Sequence, residues 1–432
     1  MTQDAPATGS GAPPAPGAVG SAPGAGTPTP LTRRQLSAWR NALFVIFAIS
    51  GVALSSWVSR TPVIRDMLGA STAQMGWIVF ALAVGSIVGL TLSTPALTRF
   101  GPGRTMTGAI TVGALGIVIT GVGASTLQSP LPVVLGLALL GAGMGMTDVS
   151  MNVDGAANER ALGRTVMPLF HAAFSLGTMA GAGLGALAEL ADVPVSVHLT
   201  VIGVAMVVTI LISVRYLQPH PDLPPADSPE SAAVPHGWRA RLAIWRDRRT
   251  VLIGLIVLGM AFAEGSANDW LTLAMVDGHD VTNATGAFVF GLFVTAMTVG
   301  RVAGVFLLDR FGRVPVLRVS AVSAAVGLCL VIFGPNPVIA GIGVVLWGLG
   351  SALGFPVGMS AAADDPATAA GRVSAVATIG YFAFLVGPPS IGFLGEHFGL
   401  LHGLLLVLVL VAVAGMVSPA AREPKGARHG AH

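Results

Sequence analysis

Gly141, Gly145, Asp148 and Asn152 recur through an otherwise apolar stretch at i, i+4, i+7 and i+11, so a helix sets all four on one stripe. His171 follows inside the next apolar run. In the second half of the chain Glu264 and Asn268 share a face of AFAEGSANDWL, Asp269 and Trp270 come directly after, and Arg301 stands alone in VTAMTVGRVAGVF. Burial opposes the charged form of a carboxylate, so Asp148 or Glu264 can accept a proton from one side and release it to another. His171 can share that proton or orient the acid, and equally can be a packed histidine. Asn152 and Arg301 offer hydrogen bonds to a hydroxylated or anionic solute, although acceptors on a neighbouring helix would satisfy Arg301 as well. Asp269, near the predicted end of its helix, is expected to be solvated and without a role.

The surroundings decide whether this is a proton-handling site or an ordinary polar face. The 432-residue chain is 53% hydrophobic and 10% charged, against about 25% charged in soluble domains. Apolar runs of about 20 residues, long enough to cross a bilayer, occur twelve times in two sets of six. Among them are 39–59, 131–152, 166–188, 250–271, 285–307, 337–360 and 372–394. A carboxylate at membrane depth costs about 2.5–3.5 kcal/mol on insertion scales, which makes Asp148 and Glu264 candidates for function. The fold class that follows is an all-α membrane protein of twelve transmembrane helices.

With the N-terminus placed in the cytoplasm, nearly all arginines fall inside, only Arg60 and Arg65 fall outside, and Arg301 lies within a helix. That asymmetry accounts for the net charge of +3 through membrane orientation, with no nucleic-acid partner required. Trp57, Trp77 and Trp270 are expected near the outer interface, and Trp39, Trp238 and Trp245 near the inner one. One cysteine, Cys329, leaves no disulfide and no thiolate metal site. The single lysine, Lys425, rules out a GxxxxGK phosphate loop, so ATP does not drive the protein directly.

The expected organisation is a disordered tail over 1–36, a six-helix bundle over 37–217, a linker over 218–249, a second bundle over 250–418 and a tail over 419–432. In the linker, Trp238, Leu242 and Trp245 share a helical face opposite the arginines, as in a helix lying on a membrane surface. A shift of 207 residues superposes Gly141 on Gly348, Gly143 on Gly350, Gly185 on Gly392 and Glu189 on Glu396, so the two bundles are parallel repeats. The polar stripe of the fourth helix becomes Gly348, Ala352, Phe355 and Met359 in the tenth. Ser50, Leu54 and Trp57 share a face that can line a path, and Trp57, Phe355 and Tyr381 are the expected cavity wall. Gly387, Pro388 and Pro389 are expected to interrupt the eleventh helix.

Two six-helix copies, a basic central loop and the turns TRFGPGR and LDRFGR resemble the major facilitator superfamily over residues 38–418. Asp309-Arg310-Phe311-Gly312-Arg313 is similar to that family's signature after the eighth helix, while the first-half copy has Thr98 in place of the acid. The resemblance implies a cytoplasmic gate of Asp309, Arg310, Gly312 and Arg313, joined by Arg372. Asp148 with Asn152, Leu-Phe-His171 before Phe174 and Gly177, and Glu264 six residues before Trp270 are together similar to the fucose-permease branch. That branch moves sugars, generally with a cation, which implies coupling or binding roles for Asp148, Asn152 and Glu264. Residues 177–185 lack the proline of the antiporter signature in the fifth helix, which disfavours drug efflux.

The expected function is secondary transport of a small polar, sugar-like solute by alternating access, as proton symport. Asp148, Asn152, His171, Glu264, Asn268, Trp270 and Arg301 form the coupling and substrate site. Proton-coupled efflux and a non-transporting receptor are the alternatives. Without GxSxG or HExxH motifs the chain is not expected to be an enzyme. It is expected to need no cofactor or metal beyond the coupling proton, and to act as a monomer in the inner membrane with both termini cytoplasmic.

Overall fold

The computed structural model describes residue 2 and residues 31–163, 166–218, 244–365 and 368–423. Apart from residue 2, the tail before residue 31 lies outside the described residues, as does most of the linker, including Trp238 and Leu242.

Helix α1 (Arg33–Ser59) begins at Arg33 rather than near residue 39, within the stretch expected to be disordered. Thr32 and Gln35 close a capping box there, satisfying N–H groups that a helix start otherwise leaves free. After the short α2 (Thr61–Leu68), Ser71 and Gln74 form a second capping box at the start of α3 (Thr72–Ser125). That helical run has 54 residues, on the order of 80 Å if straight, far more than a bilayer core of about 30 Å. It reverses at Gly101 (φ 74°, ψ 166°), a backbone region open to glycine, so α3 makes two crossings. Gly312 (φ 76°, ψ 173°) turns the chain identically between α8 (Asn283–Phe311) and α9 (Arg313–Phe333). The two related turns thus share one geometry, although Thr98 replaces the acid in the first.

The first half continues with α4 (Pro130–Leu162), α5 (Met167–Leu190) and α6 (Val195–Ser213), and the second opens with α7 (Arg248–His279). The tenth crossing is split into α10 (Pro337–Ser351) and α11 (Gly354–Ala362). Then come α12 (Ala369–Phe398) and a last crossing made of α13 (Leu400–Gly403) and α14 (Leu405–Val417). Helix α12 runs unbroken through Pro388 and Pro389, and the interruption expected there falls instead at Ala352 and Leu353. At that break Gly354 lies against Met260 of α7, where any side chain would collide.

The halves pack alike. α1 lies on α5 as α7 lies on α12, α3 on α4 as α9 on α10, and α1 on α6 as α7 on α14. Within the first half, Gly141 and Gly145 lie on the backbone of Leu82 and Ser86, so the glycines of the α4 stripe serve helix approach. Trp39 is not an interfacial anchor: it is 2% exposed, and its indole Nε1 donates to Asp154 Oδ2 at 2.8 Å. Contact between halves is concentrated in two pairings, α3 with α12 and α5 with α8.

Candidate functional site

Asp148 on α4 and His171 on α5 are both exposed and lie within electrostatic range of each other. Asn152, one turn along α4, donates through Nδ2 to the Asp148 carboxylate at 3.2 Å and to its carbonyl at 2.8 Å. From the second half, Arg301 on α8 falls within range of His171, and Tyr381 on α12 within range of Asp148. Groups from opposite halves can converge only across the seam between them, so the exposure of Asp148, His171 and Tyr381 is toward a central cleft. Arg301 Nη2 donates to Glu264 Oε1 of α7 at 2.9 Å. The guanidinium that needed acceptors therefore finds one on a neighbouring helix of its own half.

Three other predicted residues are placed differently. Trp57 is 2% exposed in the first-half core, and so it does not wall the cleft. Trp270 is fully buried with its ring against Gly392 of α12, which removes it from direct contact with a solute. Asp269 is half-buried inside α7 rather than solvated, because that helix continues to His279, well past the expected end near 271. Asn268 is half-buried one turn beyond Glu264, and Phe355 on α11 packs against Gly380 of α12.

At the end opposite the chain termini the halves are joined. Arg65 of α2 pairs with Asp277 of α7. Glu189, at the end of α5, takes Asn283 Nδ2 at 3.3 Å from the start of α8, and pairs at 2.8 Å with Arg60 of its own half. Its repeat equivalent, Glu396 at the end of α12, accepts the Ala73 N–H at 3.2 Å from the start of α3. Two carboxylates related by the internal repeat thus each reach a helix N-terminus of the other half, where partial positive charge favours them. Beside this latch Gly76 meets α12: a Cβ there would lie 2.8 Å from the Pro388 carbonyl oxygen and 3.3 Å from Gly392 Cα. Gly76→Leu is therefore expected to force the halves apart at this end. Maleimide labelling of a cysteine placed at Thr72 should rise severalfold in that variant, on a background with Cys329 replaced.

At the end that carries the termini, every ion pair among the described residues stays within one half. Arg313 Nη1 and Arg249 Nη2 each bond Asp364 at 2.7 Å, and Arg372 lies 3.5 Å from Asp247. The Arg313 N–H also donates to Glu423 at 2.8 Å, fastening the chain after α14. Asp309 and Arg310 are exposed, with Arg310 over the Phe311 ring at 5.5 Å. Of the expected gate residues, Arg313 and Arg372 therefore tie parts of the second half together, and among the described residues none of the set is ion-paired across to the first half. The side chain of Asp364 is 7% exposed, so Asp364→Asn removes the charged partner of two guanidinium groups, which keep only neutral acceptors. A loss of about 3 kcal/mol or more should appear as a lower unfolding temperature of the purified protein.

The halves are therefore joined at one end, have no ion pair between them at the other among the described residues, and are polar at the middle of the seam. The family model described as Major Facilitator Superfamily matches residues 164–384 and 270–430. The chain belongs to that superfamily. It is accordingly a multi-pass membrane transporter of a small-molecule solute and not an enzyme. An uncharacterised MFS-type transporter of Yersinia pestis is 27% identical over 379 residues, covering 85% of this chain and 92% of the relative. An uncharacterised transporter of Sinorhizobium fredii is 28% identical over 395 residues, covering 90% and 100%. Among solved structures, the nucleoside transporter NupG superposes with TM-score 0.72 at 14% identity, covering 90% of this chain and 99% of that one. A bacterial homologue of the lysosomal transporter Spinster, inward-facing and unoccupied, reaches 0.68 at 14% identity over 91% and 100%. The Escherichia coli fucose:proton symporter FucP reaches 0.59 at 16% identity over 89% and 98%. At these identities the structures share the superfamily fold.

Several residues that shape this transporter escaped the sequence reading: Asp154, Asp277, Asn283 and Asp364. Asp277, Asn283 and Asp364 each sit near a helix end, where a polar residue gives no sign of having a partner, and Asp154 lies buried within α4, just past the expected end of its crossing. Glu189 and Glu396 did carry a signal, since the internal repeat superposes them, but the repeat alone does not say what they touch.

Proposed function

We propose that the protein is a proton-coupled symporter of a small polar, sugar-like solute, working by alternating access in the cytoplasmic membrane with both termini inside. The observation that carries this reading is the seam itself, where Asp148, Asn152 and His171 of one half face Arg301 and Tyr381 of the other. Hydroxyl groups of a solute can accept from Arg301 and Asn152 and donate to Asp148. A proton on Asp148 removes a charge that would otherwise have to be buried as the halves close around the cleft. Glu264 holds Arg301 toward the seam, and His171 orients or shares the Asp148 proton.

The cation asymmetry of the sequence supports a cytoplasmic position for the end that carries the termini. The latch of Arg65, Glu189 and Glu396 is then the outer gate, closed in this inward-open state. The Asp364 and Asp247 clusters hold the inner ends of the second half as it moves. Fold kinship with FucP, a fucose:proton symporter, agrees with the choice of solute class.

Uptake of radiolabelled sugars and polyols into proteoliposomes tests the reading. An imposed inward proton gradient should drive accumulation of at least one of them. Exchange with no gradient-driven accumulation would mark a uniporter, and binding without any flux a receptor.

A further inference from the structure

Among the described residues, acids embedded in the crossings have partners, with one exception. Asp148 takes Asn152, Asp154 takes the Trp39 indole, Glu189 pairs with Arg60, and Glu264 pairs with Arg301. Asp269 has no hydrogen bond or ion pair among the described residues. It lies on the wall of a cavity of about 190 Å³ whose other sides are Val79, Leu82 and Ser86 of α3 and Tyr381, Phe384 and Leu385 of α12. Apart from Asp269, Ser86 and the Tyr381 hydroxyl, this lining is apolar or aromatic.

We propose that this cavity, which adjoins the central cleft and shares Tyr381 with it, is a second binding site for a small amphiphilic cation: a protonated amine on a body the size of one aromatic ring. An apolar cavity of about 150 Å³ accepts benzene, so the 190 Å³ here accommodates a ring with a short ammonium-bearing chain. The ammonium meets the unpaired Asp269 carboxylate, and the ring lies among Leu82, Phe384 and Leu385. Charge and lining together select this class. An anion is repelled by Asp269, a polyol leaves hydroxyls unpaired against the apolar walls, and a metal ion finds one carboxylate where it needs several oxygens. The walls come from both halves, since α3 belongs to the first and α7 and α12 to the second, so an occupant bridges them. Apart from Tyr381, the site uses none of the residues assigned to the central cleft.

The test is calorimetric titration of the full-length protein in nanodiscs with phenethylamine and with its neutral analogue, phenethyl alcohol. The amine is expected to bind about tenfold or more tightly than the alcohol. Asp269→Asn and, separately, the cavity-filling Leu82→Trp should each lower the amine's affinity by about tenfold or more, while Asp148→Asn leaves it within about twofold. If Asp269→Asn does not fold, the Leu82→Trp variant decides the matter alone. Absence of amine binding, equal binding of amine and alcohol, or wild-type affinity in a folded Asp269→Asn or Leu82→Trp variant would overturn the proposal. So would loss of binding in Asp148→Asn, which would put the amine in the central cleft.

Discussion

Asp148→Asn is expected to abolish solute accumulation while leaving exchange intact. Across a gradient of one pH unit, one proton per solute supports about a tenfold accumulation, because a factor of ten corresponds to about 1.4 kcal/mol. Asparagine is close to isosteric with the protonated acid, so the halves can still rock around a filled cleft. It carries no titrating proton, however, and the inside-to-outside ratio should fall to about one. The hydrogen bond from Asn152 to the position-148 side chain becomes one between two amides, a modest change in a partner that is only 3.2 Å away. The decisive measurement sets gradient-driven uptake beside counterflow in the same proteoliposomes. Undiminished accumulation would remove Asp148 from the coupling step and transfer attention to His171 and Glu264.

The second large effect is expected at Glu264. Glu264→Gln leaves the Arg301 guanidinium in the seam without its carboxylate, which lies 2.9 Å away. Breaking a fully buried pair costs about 3–5 kcal/mol. The side chains here are 39% and 19% exposed for Arg301 and Glu264, so water entering the cleft reduces that figure. The variant should show a lower unfolding temperature and a KM raised about tenfold or more, because Arg301 is no longer held toward the solute. The double variant Glu264→Gln, Arg301→Gln removes both charges together. It should recover most of the thermal stability without recovering transport, which separates the pair's structural contribution from its role in binding. A double variant as unstable as the single one would show that the lost stability came from packing and not from the unpaired charge.

The central residues behave differently from the latch in the way they reveal themselves. Asp148, Asn152, His171, Glu264 and Arg301 were legible in sequence because a polar group in an apolar run is costly and therefore conspicuous. Arg65, Asp277, Asn283 and Asp364 lie where the crossings emerge, among other polar residues, and there a charge is cheap. Only the folded chain shows that Arg65 of the first half meets Asp277 of the second, 212 positions away.

Twelve crossings, two parallel six-helix repeats and a short set of intramembrane polar residues follow from the sequence alone, because bilayer thickness sets helix length and hydrophobicity sets which segments enter. Depth and facing did not follow. Asp269 read as solvated because its helix was expected to stop near residue 271, yet α7 continues to His279 and turns that acid into a cavity wall. Trp57 and Trp270 read as accessible because an aromatic near a predicted helix end is usually an anchor, and packing buried both instead. Which end joins the halves was likewise decided by tertiary structure. The repeat gives the halves the same helix order, and only the contacts of α3 with α12 and α5 with α8 show where they meet.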